Sequence, residues 1–375
     1  MIILFAGGGT GGHFYPIIAV AEKINTIAER EKVIDTKLFY MSNSPYDKAS
    51  LFETGIDFVY VPAGKIRPYF SFQNFIDVFN IGFGVIVAFF QLFYIYPDVV
   101  FAKGGYAAFP TIIAAIILRI PIVIHESDSI PGKVNRFASR FAKKVAVSFD
   151  EAGQYFKKEK TAWIGQPVRS ALQKIAKEGA FEYLKLDPKI PVILVLGGSQ
   201  GAKKVNDAIV DALPILVEKY QIIHQAGKAN TEEIKILTSV SIGEGPYKDR
   251  YKLFGFLNPL AMKMSAGAAS MVVSRAGSTI FEIANWGIPS VIIPLVSAHA
   301  GHQIENAFNY ARVGGCVVVE EPNLTPHILI SEINRIMENR EKYEMMSDAA
   351  KTFARPEAAE EIAQELVTIA LSHEN

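Results

Sequence analysis

A glycine-rich turn between a short apolar segment and a helical pattern constrains this chain most, and the chain contains two such turns. The first is Gly-Gly-Gly-Thr-Gly-Gly-His at residues 7–13, which follows the apolar run 2–6. The second is Gly-Gly-Ser-Gln-Gly at residues 197–201, which follows the apolar run 192–196. At a strand–loop–helix junction of this kind, backbone N–H groups and a helix N-terminus face anions closely. The sequence therefore predicts two phosphate-recognising loops.

The rest of the chain repeats the same alternation. Short apolar runs alternate with helically spaced apolar residues along almost all of the 375 residues. That pattern is typical of parallel sheets covered by helices on both faces. The length favours two domains over one, and the pattern breaks around residues 163–169. We therefore predict an α/β protein with two Rossmann-like domains that meet near this break.

Composition excludes some classes of function. The formal net charge is zero and the calculated pI is about 7.1, so nothing favours nucleic acid as a partner. The single cysteine, Cys316, cannot form an intramolecular disulfide. Met1 leads directly into an apolar strand with no preceding basic region, so a signal peptide is not expected.

One Phe-rich segment leaves two interpretations open. Residues 81–95 are apolar apart from Gln91, and this run of 15 residues is shorter than the ~20 needed to span a bilayer. A transmembrane helix is therefore not expected. The segment is either a buried helix or part of a membrane-facing surface, for which Lys65, Arg67 and the basic residues of 136–144 would supply the flank.

The first glycine loop also matches the dinucleotide-binding pattern Gly-x-Gly-x-x-Gly. That pattern requires an acidic residue at the end of the second strand to hold a ribose. Here the second strand ends at Met41-Ser42-Asn43, and its counterpart in the second half ends near Gln225. A nicotinamide dehydrogenase is therefore not favoured. No Gly-Lys-Ser/Thr follows either loop, and no spacing of histidines and carboxylates matches a metal site.

Three positions carry candidate chemistry. His13 either bonds within its own turn or acts as a general base, since a helix N-terminus disfavours the imidazolium and keeps the ring neutral. Glu282 lies one turn into a predicted helix, where its carboxylate is either solvated or reaches a ligand hydroxyl pair. His125-Glu126 ends a predicted strand at the sheet edge where open α/β sheets bind ligands.

Seven segments in this order resemble the MurG family of glycosyltransferases, and they lie at residues 8–13, 104–106, 125–135, 165–169, 197–202, 274–282 and 302–307. The resemblance implies the GT-B fold, with two Rossmann-like domains whose parallel sheets face each other across a cleft. Residues 1–163 would form the acceptor-binding and membrane-associated domain, and residues 164–352 the domain that binds UDP-N-acetylglucosamine (UDP-GlcNAc). A C-terminal helix, 353–375, would pack back on the first domain.

The resemblance also implies an activity. The family transfers GlcNAc from UDP-GlcNAc, with inversion and without cofactor or essential metal, to the C4 hydroxyl of MurNAc in undecaprenyl-linked lipid I. The product, lipid II, serves peptidoglycan synthesis, so a peripheral enzyme on the cytoplasmic face of the bacterial membrane is expected. One alternative keeps the fold but uses another UDP-sugar and a glycolipid acceptor such as diacylglycerol. Another is a non-catalytic subunit that binds nucleotide sugars.

Site residues follow from the resemblance position by position. His13 would be the base, beside a first loop that cradles the acceptor diphosphate. The acceptor side would comprise Gly8, Gly9, Tyr106, Glu126 and Asn135. Donor contacts would come from Thr10, Gly11, Gly12, Asp128, Arg169, Ser199, Leu257, Ser278, Thr279, Glu282 and Gln303. Asp128 stands where some members carry Asn, and the turn from Gly277 to Glu282 is one residue shorter than in others.

Overall fold

A computed structural model describes residues 1–67, 71–198, 201–243, 245–296 and 301–372 of the chain. The chain divides into two compact units, of which the first comprises residues 1–169 with 355–375 and the second residues 170–354. Each unit contains one parallel β-sheet with helices. The predicted α/β class with two parallel sheets is therefore confirmed.

The first unit alternates strands and helices as its sequence pattern predicts. Its elements in chain order are β1 (Ile2–Ala6), α1 (Gly11–Glu31), β2 (Lys37–Ser42), α2 (Lys48–Glu53), β3 (Ile56–Tyr60), α3 (Phe72–Ile95), β4 (Val99–Ala102), α4 (Phe109–Ile117), β5 (Ile122–Glu126), α5 (Lys133–Ala138), β6 (Lys144–Val147) and β7 (Thr161–Trp163). The seven strands are hydrogen-bonded in the order β3-β2-β1-β4-β5-β6-β7.

Register brings three loops of this unit to one edge. Ala6 at the end of β1 pairs with Ala102 at the end of β4, and Ala102 pairs with Ile124 of β5. These central strands are almost entirely apolar because helices cover both of their faces. The loops after β1, β4 and β5 therefore leave the sheet side by side at its carboxyl edge.

The second unit repeats the design. Its elements are α6 (Ser170–Gln173), α7 (Ala180–Leu184), β8 (Val192–Leu196), α8 (Lys203–Lys219), β9 (Gln221–Gln225), α9 (Thr231–Ile242), β10 (Tyr251–Phe254), α10 (Pro259–Ala268), β11 (Ala269–Ser274), α11 (Thr279–Trp286), β12 (Ser290–Ile292), α12 (His302–Arg312), β13 (Cys316–Val318), α13 (Pro326–Met337) and α14 (Arg340–Phe353). The strand order is β10-β9-β8-β11-β12-β13. Ser274 pairs with Leu196 on one side and Ile292 on the other, so the loops after β8, β11 and β12 share an edge.

The last helix, α15 (Ala358–Leu371), belongs to the first unit. Its apolar residues Leu366, Val367 and Ala370 are buried in one cluster with Ile17 and Ile24 of α1. Exposed ion pairs flank this contact, including Lys23 Nζ to Glu360 at 3.2 Å, but such pairs contribute little. Apolar burial is what fixes α15 on α1.

α3 corrects two expectations. The helix runs over 24 residues, so the argument that the apolar run is too short to span a bilayer is wrong; by length and composition alone α3 could cross a membrane. The buried-helix interpretation is also wrong, because only Gly84, Ala88 and Leu92 are buried in it. These three lie on one face. The opposite face is an exposed apolar stripe of Phe79, Phe83, Ile86, Phe90 and Phe93.

Candidate active site

The first glycine loop leads into an α1 N-terminus that no side chain caps. Gly8 has a φ of +133°, and a β-carbon there would lie 2.5 Å from Ser42 Oγ, so only glycine fits. Thr10, at the N-cap position, accepts no backbone N–H with its side chain. Its hydroxyl lies instead 2.9 Å from Nδ1 of His13. The first N–H groups of α1 are therefore left for an anion.

His13 lies partly buried in the first turn of α1. Burial, and after it the nearby Lys103 ammonium, lower the pKa of His13 from 6.5 to about 4 against the opposing effect of Asp128. The imidazole is consequently neutral at pH 7. A neutral ring beside an anion site can accept a proton from a bound hydroxyl.

Tyr106 approaches the first loop from the neighbouring strand. It follows Gly104 and Gly105, both with positive φ, in the loop after β4. A β-carbon on Gly9 would meet Tyr106 Cε1 at 3.0 Å, and one on Gly105 would meet His13 Cε1 at 3.7 Å. The Tyr106 hydroxyl accepts from Asn43 Nδ2 at 3.4 Å. The structure therefore brings together Gly9, His13 and Tyr106, three residues that the resemblance places on the acceptor side.

Glu126 and Asn135 are also neighbours, but both are buried and bonded to the loop after β5. Glu126 Oε1 accepts the N–H of Asp128 at 3.0 Å, and Oε2 accepts the N–H of Gly132 at 3.1 Å and Asn135 Nδ2 at 2.9 Å. Asn135 Nδ2 also donates to the carbonyl of His125 at 3.1 Å. With both Glu126 oxygens occupied, these two side chains hold the backbone of 126–135 and place Asp128 beside the site.

Arg169 packs within the first unit. Its guanidinium carbon lies 3.8 Å from the ring centroid of Tyr15, one helical turn from Gly11. Its Nε is buried and has no hydrogen-bond partner in the described part of the chain. A stacked guanidinium with an unused donor is suited to an anionic oxygen.

The second glycine loop resembles the first. Gly198 and Gly201 both have a φ of +77°, and a β-carbon on Gly201 would lie 2.5 Å from the carbonyl oxygen of Ala226. α8 begins two residues later, and no side chain caps it. Ser199, the predicted diphosphate contact, lies outside the described residues. The loop thus provides a second uncapped helix N-terminus.

Three predicted donor residues lie beside this loop's strand. Ser274 ends β11, where its hydroxyl donates to the carbonyl of Leu196 at 3.4 Å. The helix predicted to carry Glu282 is confirmed, since β11 is followed by a turn and α11 begins at Thr279. Glu282 lies in the first turn of α11 and is partly buried. Ser278, Thr279 and Glu282 are therefore close together at the edge that carries the second loop.

Gln303 and Leu257, the remaining donor predictions, occupy different settings. Gln303 lies in the first turn of α12, and its Oε1 accepts the N–H of Leu295 at 3.0 Å. This bond fixes which end of the amide is oxygen and directs Nε2 away from Leu295. Leu257 is buried just before α10.

A cluster around Lys103 is absent from the sequence-based site. Lys103 directly follows β4 and is 1% exposed. Its Nζ donates to His125 Nδ1 at 2.5 Å, to Gln166 Oε1 at 3.3 Å and to Ser127 Oγ. Its position in the sequence could have indicated this cluster, because a lysine that directly follows an apolar central strand is expected to be buried.

These features define what the site can do. Each of the two glycine loops leads into an uncapped helix N-terminus, and the first loop adds a neutral imidazole. Among the residues that the structure describes, no group of three or more His, Cys, Asp or Glu side chains is placed to hold a metal ion. The two loops are therefore suited to binding anionic groups, and the imidazole is suited to accepting a proton.

Comparison with known proteins places the chain in a family. Residues 3–147 match the glycosyltransferase family 28 N-terminal domain, and residues 192–362 match its C-terminal domain. The chain is 36% identical over 366 residues to a Bacillus cereus UDP-N-acetylglucosamine–N-acetylmuramyl-(pentapeptide) pyrophosphoryl-undecaprenol N-acetylglucosamine transferase, covering 97% of this chain and 98% of that protein. A Treponema denticola protein of the same name is 36% identical over 341 residues, covering 88% and 86% of the two chains.

A solved structure agrees with these relatives. The crystal structure of Acinetobacter baumannii MurG superimposes with a TM-score of 0.72 at 25% identity, covering 98% of this chain and 99% of that one. The resemblance drawn from the seven segments is confirmed. The chain belongs to the MurG family of N-acetylglucosaminyltransferases, within glycosyltransferase family 28.

Proposed function

We propose that this enzyme transfers GlcNAc from UDP-GlcNAc to the C4 hydroxyl of MurNAc in lipid I, forming lipid II for peptidoglycan synthesis. The observation that carries the proposal is the first loop, where the neutral His13 imidazole lies beside an uncapped helix N-terminus. Curated relatives with this activity in their names cover 97% of the chain. Diacylglycerol glycosylation is not favoured, because no observation points to it.

The chemistry follows from the two loops. The first loop and α1 bind the acceptor diphosphate, and His13 takes the proton of the attacking hydroxyl. The hydroxyl oxygen forms a bond to C1 of GlcNAc from the face opposite the leaving group, and the C1–O bond to UDP breaks with its electron pair on the diphosphate. The N-terminus of α8 stabilises the negative charge that develops there. Glu282 binds the ribose and Gln303 the sugar.

The first unit docks on the cytoplasmic membrane surface through the stripe of α3, where a lipid-linked acceptor is found. The stripe is contiguous and apolar, and its phenylalanines Phe79, Phe83, Phe90 and Phe93 are 60–65% exposed. The basic flank differs from expectation, because Arg67 Nη1 pairs with Asp77 at 2.7 Å. Arg140 and Lys143, which are exposed beside Phe141, remain as basic candidates.

A direct assay tests this proposal. Purified enzyme would receive radiolabelled UDP-GlcNAc, UDP-glucose or UDP-galactose with either a short-chain lipid I analogue or diacylglycerol, with and without EDTA. We expect transfer only from UDP-GlcNAc to the lipid I analogue, unchanged by EDTA. Transfer to diacylglycerol would establish the alternative function, and calorimetric binding of UDP-GlcNAc without any transfer would indicate a binding subunit.

His13 supplies the second arm of this test. His13→Ala should lose most turnover while its Kd for UDP-GlcNAc, measured by calorimetry, stays at the wild-type value. A positioned general base contributes roughly 10²–10⁴-fold. Loss of UDP binding in His13→Ala would refute its assignment to the acceptor.

A further inference from the structure

Lys103 has a position unusual for a lysine. Its N–H is bonded to the carbonyl of Ala6 at 2.8 Å, which fixes the start of its side chain beside β1. Gly7, the first residue of the first glycine loop, lies between Lys103 and His13. A β-carbon on Gly7 would lie 3.2 Å from Lys103 Cβ and 3.7 Å from the carbonyl oxygen of His13. The absence of a side chain at Gly7 therefore lets the Lys103 stem pack directly behind the loop that carries His13.

The hydrogen-bond partners of Lys103 Nζ are those expected for a charged ammonium group. An ammonium has three donors, and Lys103 has three acceptors, namely His125 Nδ1, Ser127 Oγ and Gln166 Oε1. His125 can accept at Nδ1 because its Nε2 lies 2.8 Å from the carbonyl oxygen of Gly165 and donates to it. All three acceptors are neutral. A buried ammonium held by neutral groups leaves a net positive potential in its surroundings.

Carboxylates near Lys103 do not cancel this charge by direct contact. Within the described chain, no Asp or Glu lies within 4.0 Å of its Nζ. Glu126 and Asp128 act on it from farther away, and Glu126 already accepts three hydrogen bonds. Burial lowers the pKa of Lys103 to about 7, so its charge is present in the acidic range where His13 would otherwise take a proton.

We propose that Lys103 is a positioning residue of the acceptor site, whose buried charge behind the first glycine loop makes the His13 imidazole a weaker base until an anion binds that loop. The inference rests on the proposed role of His13 as acceptor base. The groups acting on His13 are Lys103 from the end of β4 and Asp128 from the loop after β5. A diphosphate bound at the α1 N-terminus would offset the Lys103 charge and make His13 more basic when the hydroxyl is in place.

Histidine NMR tests the proposal independently of catalysis. In ¹⁵N-histidine-labelled enzyme, the His13 signal would be assigned by its loss in His13→Gln. Lys103→Met keeps the apolar stem but removes the charge, and we expect the His13 titration midpoint to rise by about one pH unit. Lys160→Met is the matched control, since Lys160 also donates to carbonyls in this unit, and it should leave the midpoint unchanged. An unchanged midpoint in Lys103→Met would overturn the proposal.

A wild-type measurement applies even where Lys103→Met does not fold. Saturation with inorganic pyrophosphate should raise the His13 midpoint by about one pH unit, and saturation without a shift would overturn the proposal. In kinetics, Lys103→Met should move the acid limb of kcat/KM for the acceptor to higher pH. If the wild type shows no transfer, the proposed function fails, while both NMR outcomes still decide the role of Lys103.

Discussion

Thr10 Oγ1 lies 2.9 Å from His13 Nδ1, across the first turn of α1. An N-cap threonine usually accepts a backbone N–H of its own helix, and here the hydroxyl serves the imidazole instead. When Nδ1–H donates to Thr10, Nε2 is the unprotonated nitrogen. The pair therefore fixes the orientation of the base, and leaves the helix N-terminus open for an anion.

Variants of Thr10 should show whether its hydroxyl, rather than its shape, orients the His13 ring. We expect Thr10→Val, which keeps the shape but removes the hydroxyl, to lower kcat by roughly tenfold, a part of what a positioned base contributes. Thr10→Ser, which keeps the hydroxyl, should stay near the wild-type rate. Steady-state kinetics at saturating substrates checks both. Equal kcat values for the two variants would show that the hydroxyl does not orient the ring.

Substitution of Glu126 should lower the stability of the first unit. Glu126→Ala removes the acceptor of two partly buried N–H groups and one acceptor of the buried Asn135 Nδ2, which should lower the free energy of unfolding by about 2 kcal/mol. Trp163 lies in the first unit and Trp286 in the second, and the chain has no other tryptophan. Urea unfolding followed by Trp163 fluorescence in a Trp286→Phe background therefore isolates this unit.

The matched control for Glu126 is Glu151→Ala, which removes an exposed carboxylate of the same unit. It should change the free energy of unfolding by less than about 0.5 kcal/mol. If both variants unfold alike, the hydrogen bonds of Glu126 do not anchor the loop after β5.

Much of the fold was predictable because buried parallel strands are continuous apolar runs. β1 and β8 occur where their sequences predict them, at Ile2–Ala6 and Val192–Leu196. β7 was missed, since Thr161–Trp163 is short, exposed and interrupted in hydrophobicity. Elements at the sheet edge depend on tertiary pairing, which local pattern does not encode.

The site was predictable where backbone geometry requires a residue type. Gly8 and Gly198 have positive φ, and sequence spacing alone located both turns. The Lys103 cluster was not predictable, because its partners Ser127 and Gln166 lie 24 and 63 residues away in sequence. Sequence patterns also do not distinguish a ligand-facing carboxylate from Glu126, whose oxygens are occupied within the fold.

His224 should make the second unit sensitive to acid. It is fully buried, with Nδ1 2.9 Å from the Tyr251 hydroxyl and Nε2 3.0 Å from Asn206 Oδ1, and burial lowers its pKa from 6.5 to about 3. Between these values the unfolded state binds a proton that the folded state does not. The free energy of unfolding of this unit therefore has its full value above pH 6.5. It declines as pH falls, by about 2–3 kcal/mol at pH 4.5.

Urea unfolding followed by Trp286 fluorescence, in a Trp163→Phe background, measures this dependence. His224→Gln should flatten the stability profile between pH 6.5 and 4 relative to the parent. His327→Gln, at an exposed histidine of the same unit, is the control and should leave the profile unchanged. A His224→Gln profile as steep as the parent's would assign the acid sensitivity to other groups.

The stripe of α3 should control membrane binding. Phe79→Ser/Phe83→Ser/Phe90→Ser removes three exposed rings, each of which gains about 1.5–3 kcal/mol on complete burial in an apolar phase. Partition onto phosphatidylglycerol vesicles, measured by sedimentation, should therefore weaken more than tenfold. Phe52→Ser removes a ring that is 88% exposed on α2 and should not alter it. Equal vesicle binding by both variants would place the docking surface elsewhere.

Gln303 should distinguish recognition of the sugar from recognition of the nucleotide. Its Oε1 is bonded to the N–H of Leu295, while its Nε2 makes no hydrogen bond within the described chain and can donate to a sugar hydroxyl. Gln303→Glu keeps the acceptor for Leu295 but loses that donor. We expect its Kd for UDP-GlcNAc to rise about tenfold, as for one lost hydrogen bond, with the Kd for UDP unchanged. Calorimetry with both ligands measures this difference, and an equal weakening for UDP and UDP-GlcNAc would show that Gln303 supports the nucleotide site through Leu295.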